Sequence, residues 1–414
     1  MRRLPAFGTA LFWGALLRLV LLPFPGYAGD VKAFETWALA LARGGLRAIY
    51  LNPAVRPPVD YVPGYLYVLW ALGKAHDALF GATSGVGGVA FRIAVKAPGA
   101  LADLVLAYIL YRVGRRLSGE PAGRAAAAVV LFAPPFWLVS AYWGQIDALA
   151  AIPFALALWC ALEDRSIPAW LALAAALLIK PQAAAFVPVL AVWQFYRLGG
   201  RALLAIAVGG AASLVLAYFV ALPFAPGPGA IEVLGWLAGR YAAALAKIPF
   251  ATVSAFNLYS ILWPPFHSDA TPLFGLAVRY WGLVLTGLAL AYVLVALRDA
   301  ERSLLVVTTA ALTAPYVLAT RMHERYLVPA LVAGTLAALV DRTCGWIVAG
   351  FGVIFTLDVL AVLAGLESGG HHPQVLVVVH VLSAANVALF ALLLARVRSA
   401  GPLVPARKKS TGRR

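Results

Sequence analysis

The chain has few charged residues, few cysteines and few acidic residues. Only 12% of its 414 residues are charged and 63% are apolar, with a mean hydropathy of +0.87. So little charge excludes a water-soluble globular protein. The two cysteines, Cys160 and Cys344, are too few for a disulfide framework or a thiolate metal site. The composition therefore predicts a polytopic membrane protein without a separate large soluble domain.

Several familiar catalytic motifs are also missing from the sequence. It contains no His and carboxylate pair at zinc-binding spacing, no phosphate-cradling Gly-rich loop that opens a helix, and no Gly-x-Ser-x-Gly elbow. These absences argue against soluble nucleotide chemistry. We expect neither a metal nor a cofactor.

Long apolar runs fill most of the chain. A bilayer crossing takes about 20 mostly apolar residues, so the runs predict an all-α membrane protein with about twelve transmembrane helices. The runs lie at about 7–24, 94–112, 124–141, 147–162, 167–180, 182–197, 201–224, 272–297, 303–320, 326–340, 345–366 and 373–396.

The net charge of +16 lies mainly in short links between these runs. The positive-inside rule predicts that such links are cytoplasmic, which places both termini in the cytoplasm and attributes the basicity to topology instead of nucleic-acid binding. Residues 1–400 are then one transmembrane domain, and 401–414 a basic disordered tail beside anionic lipid. The basic links are Arg2-Arg3, Arg112 to Arg124, Glu163-Asp164-Arg165, Arg197 to Arg201, Arg298 to Arg302, Asp341-Arg342 and Arg396 to Arg414.

The run from Pro63 to Phe80 does not fit a simple crossing. It carries Lys74, His76 and Asp77, and a crossing here would put basic links on the wrong side. We therefore predict one outer loop over about 25–92, with helices at about 31–44 and 64–80 that lie on or dip into the interface. The second long outer loop covers about 225–271.

Polar residues near the apolar runs collect at the predicted outer ends. A charge at the centre of a spanning helix costs roughly 2.5 to 3.5 kcal/mol on insertion scales, so each such residue needs a reason. Snorkelling accounts for many single Lys and Arg residues at helix ends, but it does not explain why all the informative ones share one side. They are Asp30, Asp60, Lys96, Asp103, the Trp143 to Asp147 segment, Lys180, Gln182 and the Arg321 to Arg325 segment.

Three of these segments have a pattern that favours a ligand. Lys180 precedes Pro181 and a second apolar run, which predicts a tight corner whose ammonium points into the bundle or at a lipid phosphate. Trp143-Gly144-Gln145 with Asp147 is typical of a lined cavity. Arg321-Met322-His323-Glu324-Arg325 has one carboxylate for several cations, so it predicts an anionic ligand, with an interfacial salt-bridge cluster as the alternative. His267 and His371-His372 are predicted to be loop residues.

One carboxylate after the first span, several cations and many aromatic rings on the same face suit glycosyl transfer from a polyprenyl-phosphate-linked sugar. A carboxylate accepts the proton of the attacking hydroxyl. Cations stabilise the departing lipid phosphate without an acid catalyst. Direct displacement of this kind inverts the anomeric centre.

At these residues the chain resembles the GT-C glycosyltransferases, most closely the bacterial relatives of the GPI-anchor mannosyltransferases and of the dolichyl-phosphate-glucose-dependent glucosyltransferases. The resemblance extends to about Pro329. Gly29-Asp30 is similar to the family's Gly-Asp motif, and Asp60 to Tyr65 to its Asp-Tyr-Pro-Pro stretch, although Val62-Pro63-Gly64 departs from the double proline. Trp143-Gly144-Gln145, Lys180-Pro181-Gln182, Phe256-Asn257 with Trp263, and His323-Glu324-Arg325, where Arg replaces Lys, resemble its other outer motifs.

The resemblance implies a GT-C-like fold with juxtamembrane helices in the first outer loop, and an inverting transferase that moves a mannose- or glucose-like sugar to a glycan or glycolipid acceptor on the outer face of the cell membrane. A lipid-linked sugar flippase or secondary transporter is the alternative, and a ligase for whole glycans is a third. Asp30 is the expected base, with Asp60 as the fallback. Lys180, Arg321, His323 and Arg325 are expected to bind the donor phosphate, and Asp60, Tyr61, Trp143, Gln145, Asp147, Gln182, Asn257, Glu324 and Lys96 to bind substrate.

Overall fold

The computed structural model describes residues 5–298, 300–365 and 373–399 and is built almost entirely of helices. The all-α prediction is confirmed. The helices are α1 (Phe7–Leu21), α2 (Ala28–Gly44), α3 (Pro63–Phe80), α4 (Val89–Ser118), α5 (Glu120–Phe132), α6 (Pro134–Trp137), α7 (Asp147–Leu162), α8 (Ser166–Ile179), α9 (Phe186–Leu198), α10 (Ala202–Ala221), α11 (Ala230–Ala246), α12 (Val278–Ala296), α13 (Glu301–Leu318), α14 (Val328–Val340), α15 (Arg342–Leu363) and α16 (Pro373–Ser399).

The structure differs from the predicted runs in three places. Residues 272–277 form a short antiparallel hairpin of β1 (Pro272–Leu273) and β2 (Leu276–Ala277), because Phe274 and Gly275 between them have positive φ and cannot begin a helix. The run at 124–141 is broken at Pro134. Helix α11 lies inside the second outer loop, where no helix was predicted.

Helices α2 and α3 lie in the segment predicted as the first outer loop, close to the predicted 31–44 and 64–80. They pack closely because Gly73 of α3 lies directly over the backbone of α2. A Cβ at Gly73 would stand 2.0 Å from the carbonyl oxygen of Ala38. Phe34, Trp37 and Tyr65 fill the interface between them and are buried.

Several helices are long and apolar enough to cross a membrane, as expected of a multi-pass membrane protein. Among the described residues these are α4, the α9–α10 segment, α12, α15 and α16, and the bent pair of α5 with residues 134–143 counts as a sixth. Helix α3 is not among them. Helices α1, α7 and α8 are apolar but shorter, so the predicted total of about twelve spans stays a prediction.

The short charged links meet at one end of the helices. Arg116 at the end of α4 pairs with Glu163 after α7 and, at 2.9 Å, with Glu301 at the start of α13. Asp341 between α14 and α15 pairs with Arg396 of α16 at 2.9 Å. The predicted grouping of these links is therefore present in the fold. Arg2-Arg3, His371-His372 and the tail beyond residue 399 lie outside the described residues.

The largest hydrophobic core lies along the helices, between this end and the opposite end. Helices α4, α5, α7, α13 and α14 supply most of its fully buried side chains. Thr309 and Thr313 of α13 are buried there, and each donates its hydroxyl to the backbone carbonyl four residues earlier at 2.8 Å. These two threonines thus satisfy their hydroxyls in local hydrogen bonds within the helix.

Candidate active site

A cavity of about 530 Å³ lies at the end of the helices opposite the charged links. We call it the Asp30 cavity. Its wall combines the start of α2, the chain before α3, the corner after α8, the end of α11 and the segment before α14. The predicted site residues that line it are Asp30, Asp60, Tyr61, Gln145, Lys180, Gln182, Arg321, His323 and Arg325.

Asp30 stands in the first turn of α2, where the helix dipole favours a negative charge. The chain before it is fixed by close backbone contacts. The Tyr27 amide donates to the carbonyl of Trp143 at 3.2 Å, and the Tyr27 ring stacks on the Trp143 ring. Gly26 has φ +64, and a Cβ there would lie 2.4 Å from the Tyr142 carbonyl oxygen. Only glycine permits this approach.

Two neutral donors hold the Asp30 carboxylate. Trp143 Nε1 donates to Oδ2 at 2.7 Å, and Gln145 Nε2 donates to the same oxygen at 2.5 Å. The other end of the Gln145 amide accepts from the Tyr61 hydroxyl at 2.8 Å and from Lys180 Nζ at 3.1 Å. These contacts fix the amide with its NH₂ toward Asp30. No ion pair of Asp30 occurs within the described residues.

The segment that carries Trp143 and Gln145 ends in a tight turn. Residues Leu138–Trp143 form a π-helical turn, which we call the π turn. Gly144 follows at φ +101; its amide donates to the Ser140 carbonyl and the Gln145 amide to the Val139 carbonyl. A glycine in the left-handed conformation is a common way to end a helix.

Lys180 lies at the predicted corner between α8 and the next helical turn. Its backbone is extended because Pro181 follows. Its ammonium is buried, and it donates to Asp147 Oδ2 at 3.0 Å, while Gln182 Nε2 donates to Asp147 Oδ1 at 2.7 Å. Burial lowers the pKa of Lys180, and the Asp147 carboxylate opposes that shift.

The second cationic wall comes from the 3₁₀ turn Glu324–Leu327 before α14. Glu324 is buried and accepts from Arg325 Nη1 at 2.5 Å and from the Ser254 hydroxyl. Burial alone would raise the pKa of Glu324, but Arg325, His323 and Ser254 hold it well below its ordinary value. The Arg325 guanidinium lies 5.4 Å from the centre of the Trp143 ring, and its buried Nε has no hydrogen-bond partner among the described residues.

Arg321 and Asp60 line the cavity in ion pairs with residues outside the predicted set. Arg321 Nε donates to the buried Asp269 at 2.7 Å. Asp60 accepts from Lys247 Nζ at 2.7 Å across the mouth of the cavity, and both groups are partly exposed. The pair therefore joins the first outer loop to the end of α11.

Five predicted site residues do not line the cavity. Trp143, Asp147 and Glu324 lie behind its wall and hold residues that do. Lys96 is fully buried and donates to the carbonyls of Leu21, Leu22 and Phe24, because it completes the end of α1. Asn257 is also buried away from the cavity, where its side-chain oxygen accepts from the amides of Tyr259 and Ser260. The positions of Lys96 and Asn257 therefore do not support a contact with substrate.

The sequence reasoning missed Lys247 and Tyr241, which line the cavity from α11. The available signal was the four-residue spacing of the buried Val233 and Leu237 in a run that starts after Gly229. Arg18 inside α1 was missed as well. No group of three or more potential metal ligands occurs in the described part of the chain.

No protein-family model matches the chain, and no curated protein matches it in sequence. Solved structures do resemble it. ArnT from Cupriavidus metallidurans in the apo state is 15% identical with a TM-score of 0.51, and the match covers 94% of this chain and 76% of ArnT. The same protein bound to undecaprenyl phosphate is 16% identical with a TM-score of 0.51, and the match covers 95% of this chain and 77% of ArnT. The archaeal oligosaccharyltransferase AglB from Archaeoglobus fulgidus was solved in complex with an inhibitory peptide and a dolichol-phosphate. It is 15% identical with a TM-score of 0.45, and the match covers 96% of this chain and 56% of AglB. The chain therefore shares the fold of ArnT.

Proposed function

We propose that this protein is an inverting glycosyltransferase that moves a sugar from a polyprenyl-phosphate donor to a lipid-linked or surface glycan acceptor on the outer face of the membrane. The observation that carries the proposal is the Asp30 carboxylate, which neutral donors hold in a cavity that Lys180, Arg321 and Arg325 also line. A mannose- or glucose-like sugar fits the proposal.

Asp30 is the general base. Its Oδ2 atom is occupied by Trp143 and Gln145, while no hydrogen bond reaches Oδ1 from the residues that the structure describes. Oδ1 can therefore accept the proton of an acceptor hydroxyl as that oxygen attacks the anomeric carbon. The bond from the anomeric carbon to the phosphate oxygen breaks in the same step, and the lipid phosphate leaves with the electron pair.

Arg325 is the main contact for the departing phosphate. Its Nη1 binds Glu324, but its buried Nε has no partner within the described chain, so it has a donor to offer. His323, Arg321 and Lys180 surround the same space, although Arg321 and Lys180 already bind Asp269 and Asp147. Preorganised donors of this kind stabilise charge that develops in the transition state.

The fold supports a lipid-phosphate donor. ArnT, which shares the fold, has been solved with undecaprenyl phosphate bound. The aromatic residues Phe34, Trp37 and Tyr241 line the same cavity as the cations, and such rings suit the apolar face of a pyranose. Lipid phosphate and sugar would then share one cavity.

The test is a donor screen with purified protein in detergent. Polyprenyl-phosphate mannose and glucose are offered with lipid-linked glycan acceptors, and nucleotide sugars serve as controls. We expect transfer from a lipid-phosphate donor alone, with an inverted anomeric centre in the product and no loss of activity on chelation by EDTA. No product from any donor, together with movement of labelled lipid-linked sugar across proteoliposomes, would favour a flippase instead.

A further inference from the structure

Arg18 is a buried charged residue in the last turn of the apolar helix α1, and the reaction proposed above does not use it. Its side chain is 2% exposed. Nη1 donates to the carbonyl of Leu131 and Nη2 to the carbonyl of Val130, both at 2.9 Å. Nε donates to Asp103 Oδ2, also at 2.9 Å. A buried guanidinium that makes this many contacts to neighbouring helices holds those helices in position.

The sequence explains why those two carbonyls need a donor. In an α-helix, the carbonyls of residues 130 and 131 would accept from the amides of residues 134 and 135. Both positions are proline, which has no amide hydrogen. The helix bends by 43° at this break. Unpaired carbonyls are costly where no water can reach them. The forked guanidinium of Arg18 supplies both missing donors at once.

Asp103 connects this break to the cavity. The same Oδ2 atom that binds Arg18 accepts from the hydroxyl of Ser140, which is in the π turn. The π turn carries Trp143 and leads to Gln145, and these are the two side chains that hold Asp30. One turn earlier on α4, Gly99 leaves room for the Gln145 carbonyl, which would lie 2.4 Å from a Cβ there. One face of α4 thus supports the whole turn.

We propose that Arg18, through Asp103 and Ser140, is a positioning residue that fixes the π turn and thereby aims Trp143 and Gln145 at Asp30. The catalytic part of this inference rests on the proposed function of Asp30. The structural part depends only on the chain of contacts from α1 to the π turn. Arg18 does not touch the cavity, so its replacement acts on geometry instead of donor binding.

The test uses the full-length protein with two variants and two matched controls. Ser140→Ala removes one hydroxyl at the π turn, and Arg18→Lys keeps the charge but cannot reach both carbonyls. Ser213→Ala is the control for the first, because each serine hydroxyl lies within hydrogen-bond distance of the carbonyl four residues earlier, at 3.0 Å for Ser140 and 2.8 Å for Ser213. Arg302→Lys is the control for the second, because Arg302 binds the buried Asp341 far from the cavity.

We expect kcat to fall about tenfold or more in both variants, since small misplacements of catalytic groups have large effects, while KM for the donor changes less than about twofold. Amide hydrogen exchange should rise at residues 139–146, where the Gly144 and Gln145 amides close the turn. Both controls should keep the wild-type kcat and the wild-type exchange at this segment.

Wild-type kcat and wild-type exchange in both variants would overturn the positioning role. An equal loss of kcat in Arg302→Lys, in step with a lower melting temperature, would overturn it too, since the effect would then be general instability. A third outcome separates the two proposals: the wild type transfers sugar from no donor, but exchange at 139–146 still rises in both variants. That result would support the positioning role and refute only the proposed function.

Discussion

Two clusters of buried charge lie at opposite ends of the helices, and their hydrogen bonds are completed to different extents. At one end Asp341 accepts from Arg302, Arg396 and the amide of Cys344. We call this the Asp341 cluster. In the Asp30 cavity, Arg325 Nε and Gln182 Oε1 are buried without a partner among the described residues.

The difference teaches how a structural charge cluster is distinguished from a candidate site. In the Asp341 cluster both carboxylate oxygens bind protein donors, so it joins α13, α15 and α16 and needs no ligand. In the Asp30 cavity the unpaired donor and acceptor belong to two residues that line the cavity, and a bound ligand would complete their hydrogen bonds. Buried charge alone would have selected both clusters.

The largest contrast between the two ends is their accessibility from the two sides of the membrane. In a background with Cys160→Ser and Cys344→Ala, we expect Lys32→Cys and Thr83→Cys to react with a membrane-impermeant thiol reagent from one side, and Ser118→Cys only from the other. The reason is that α3, with Lys74, His76 and Asp77, is predicted not to cross, whereas α4 is long and apolar enough to cross. Labelling of Thr83→Cys and Ser118→Cys from a common side would mean that the helix count is wrong by one.

The next contrast is between two carboxylates. Asp30→Asn should lower transfer by about a hundredfold or more, because it removes the proton acceptor, and should leave the melting temperature near that of the wild type. Asp341→Asn should lower the melting temperature and leave transfer near that of the wild type, since it leaves two partly buried guanidiniums without their carboxylate. Turnover and thermal unfolding of both variants check this. Near-normal turnover by Asp30→Asn would remove Asp30 from the role and make Asp60 the next candidate.

Hydropathy and charge predicted most of the helices and the grouping of the charged links, because each apolar run is long and its ends carry charge. The same reasoning selected Asp30, Lys180 and Arg325, which the structure brings to one cavity. It could not assign Lys96, since nothing in a sequence distinguishes an ammonium that binds backbone carbonyls from one that binds substrate.

Helix α11 and Arg18 show two further limits. The run that forms α11 is too short and too polar to be predicted as a membrane span, so the sequence predicts a loop there. Lys247 reaches the cavity only because α11 packs near the chain that carries Asp60. Arg18 stood inside the first apolar run, where a charge is a signal in itself. Its partners on α4 and α5 are 85 and 112 to 113 residues away, beyond what periodicity can connect.

A smaller contrast concerns two arginines in the two clusters. Arg325→Lys keeps the charge but removes Nε, the unpaired donor, so we expect the donor KM to rise about tenfold, which corresponds to about 1.4 kcal/mol. Arg396→Lys makes the same change where the guanidinium binds only protein groups and should leave the donor KM unchanged. Donor titrations at fixed acceptor concentration compare the two. An unchanged KM in Arg325→Lys would show that Arg325 only supports Glu324.

The smallest expected effect is the acid sensitivity of the cavity wall. The pKa of Glu324 is held well below its ordinary value by Arg325, His323 and Ser254, against the effect of burial. A carboxylate with a lowered pKa stabilises the fold fully above its unfolded pKa, near 4.3, and that stabilisation is lost as the pH falls toward the folded value.

Glu324→Gln should therefore have a lower melting temperature than the wild type at pH 7, and the gap should narrow below about pH 4.3, by about 1.5 °C per pH unit if one proton is taken up on unfolding. The Asp341 pKa is also lowered, but Asp341 is intact in both proteins, so its acid sensitivity cancels in the comparison. Melting curves of both proteins from pH 7 to pH 3 measure the gap. A gap that stays constant over this range would mean that Glu324 gains no stabilisation from its charge, and that Arg325 is held in the cavity wall by packing on Trp143 instead.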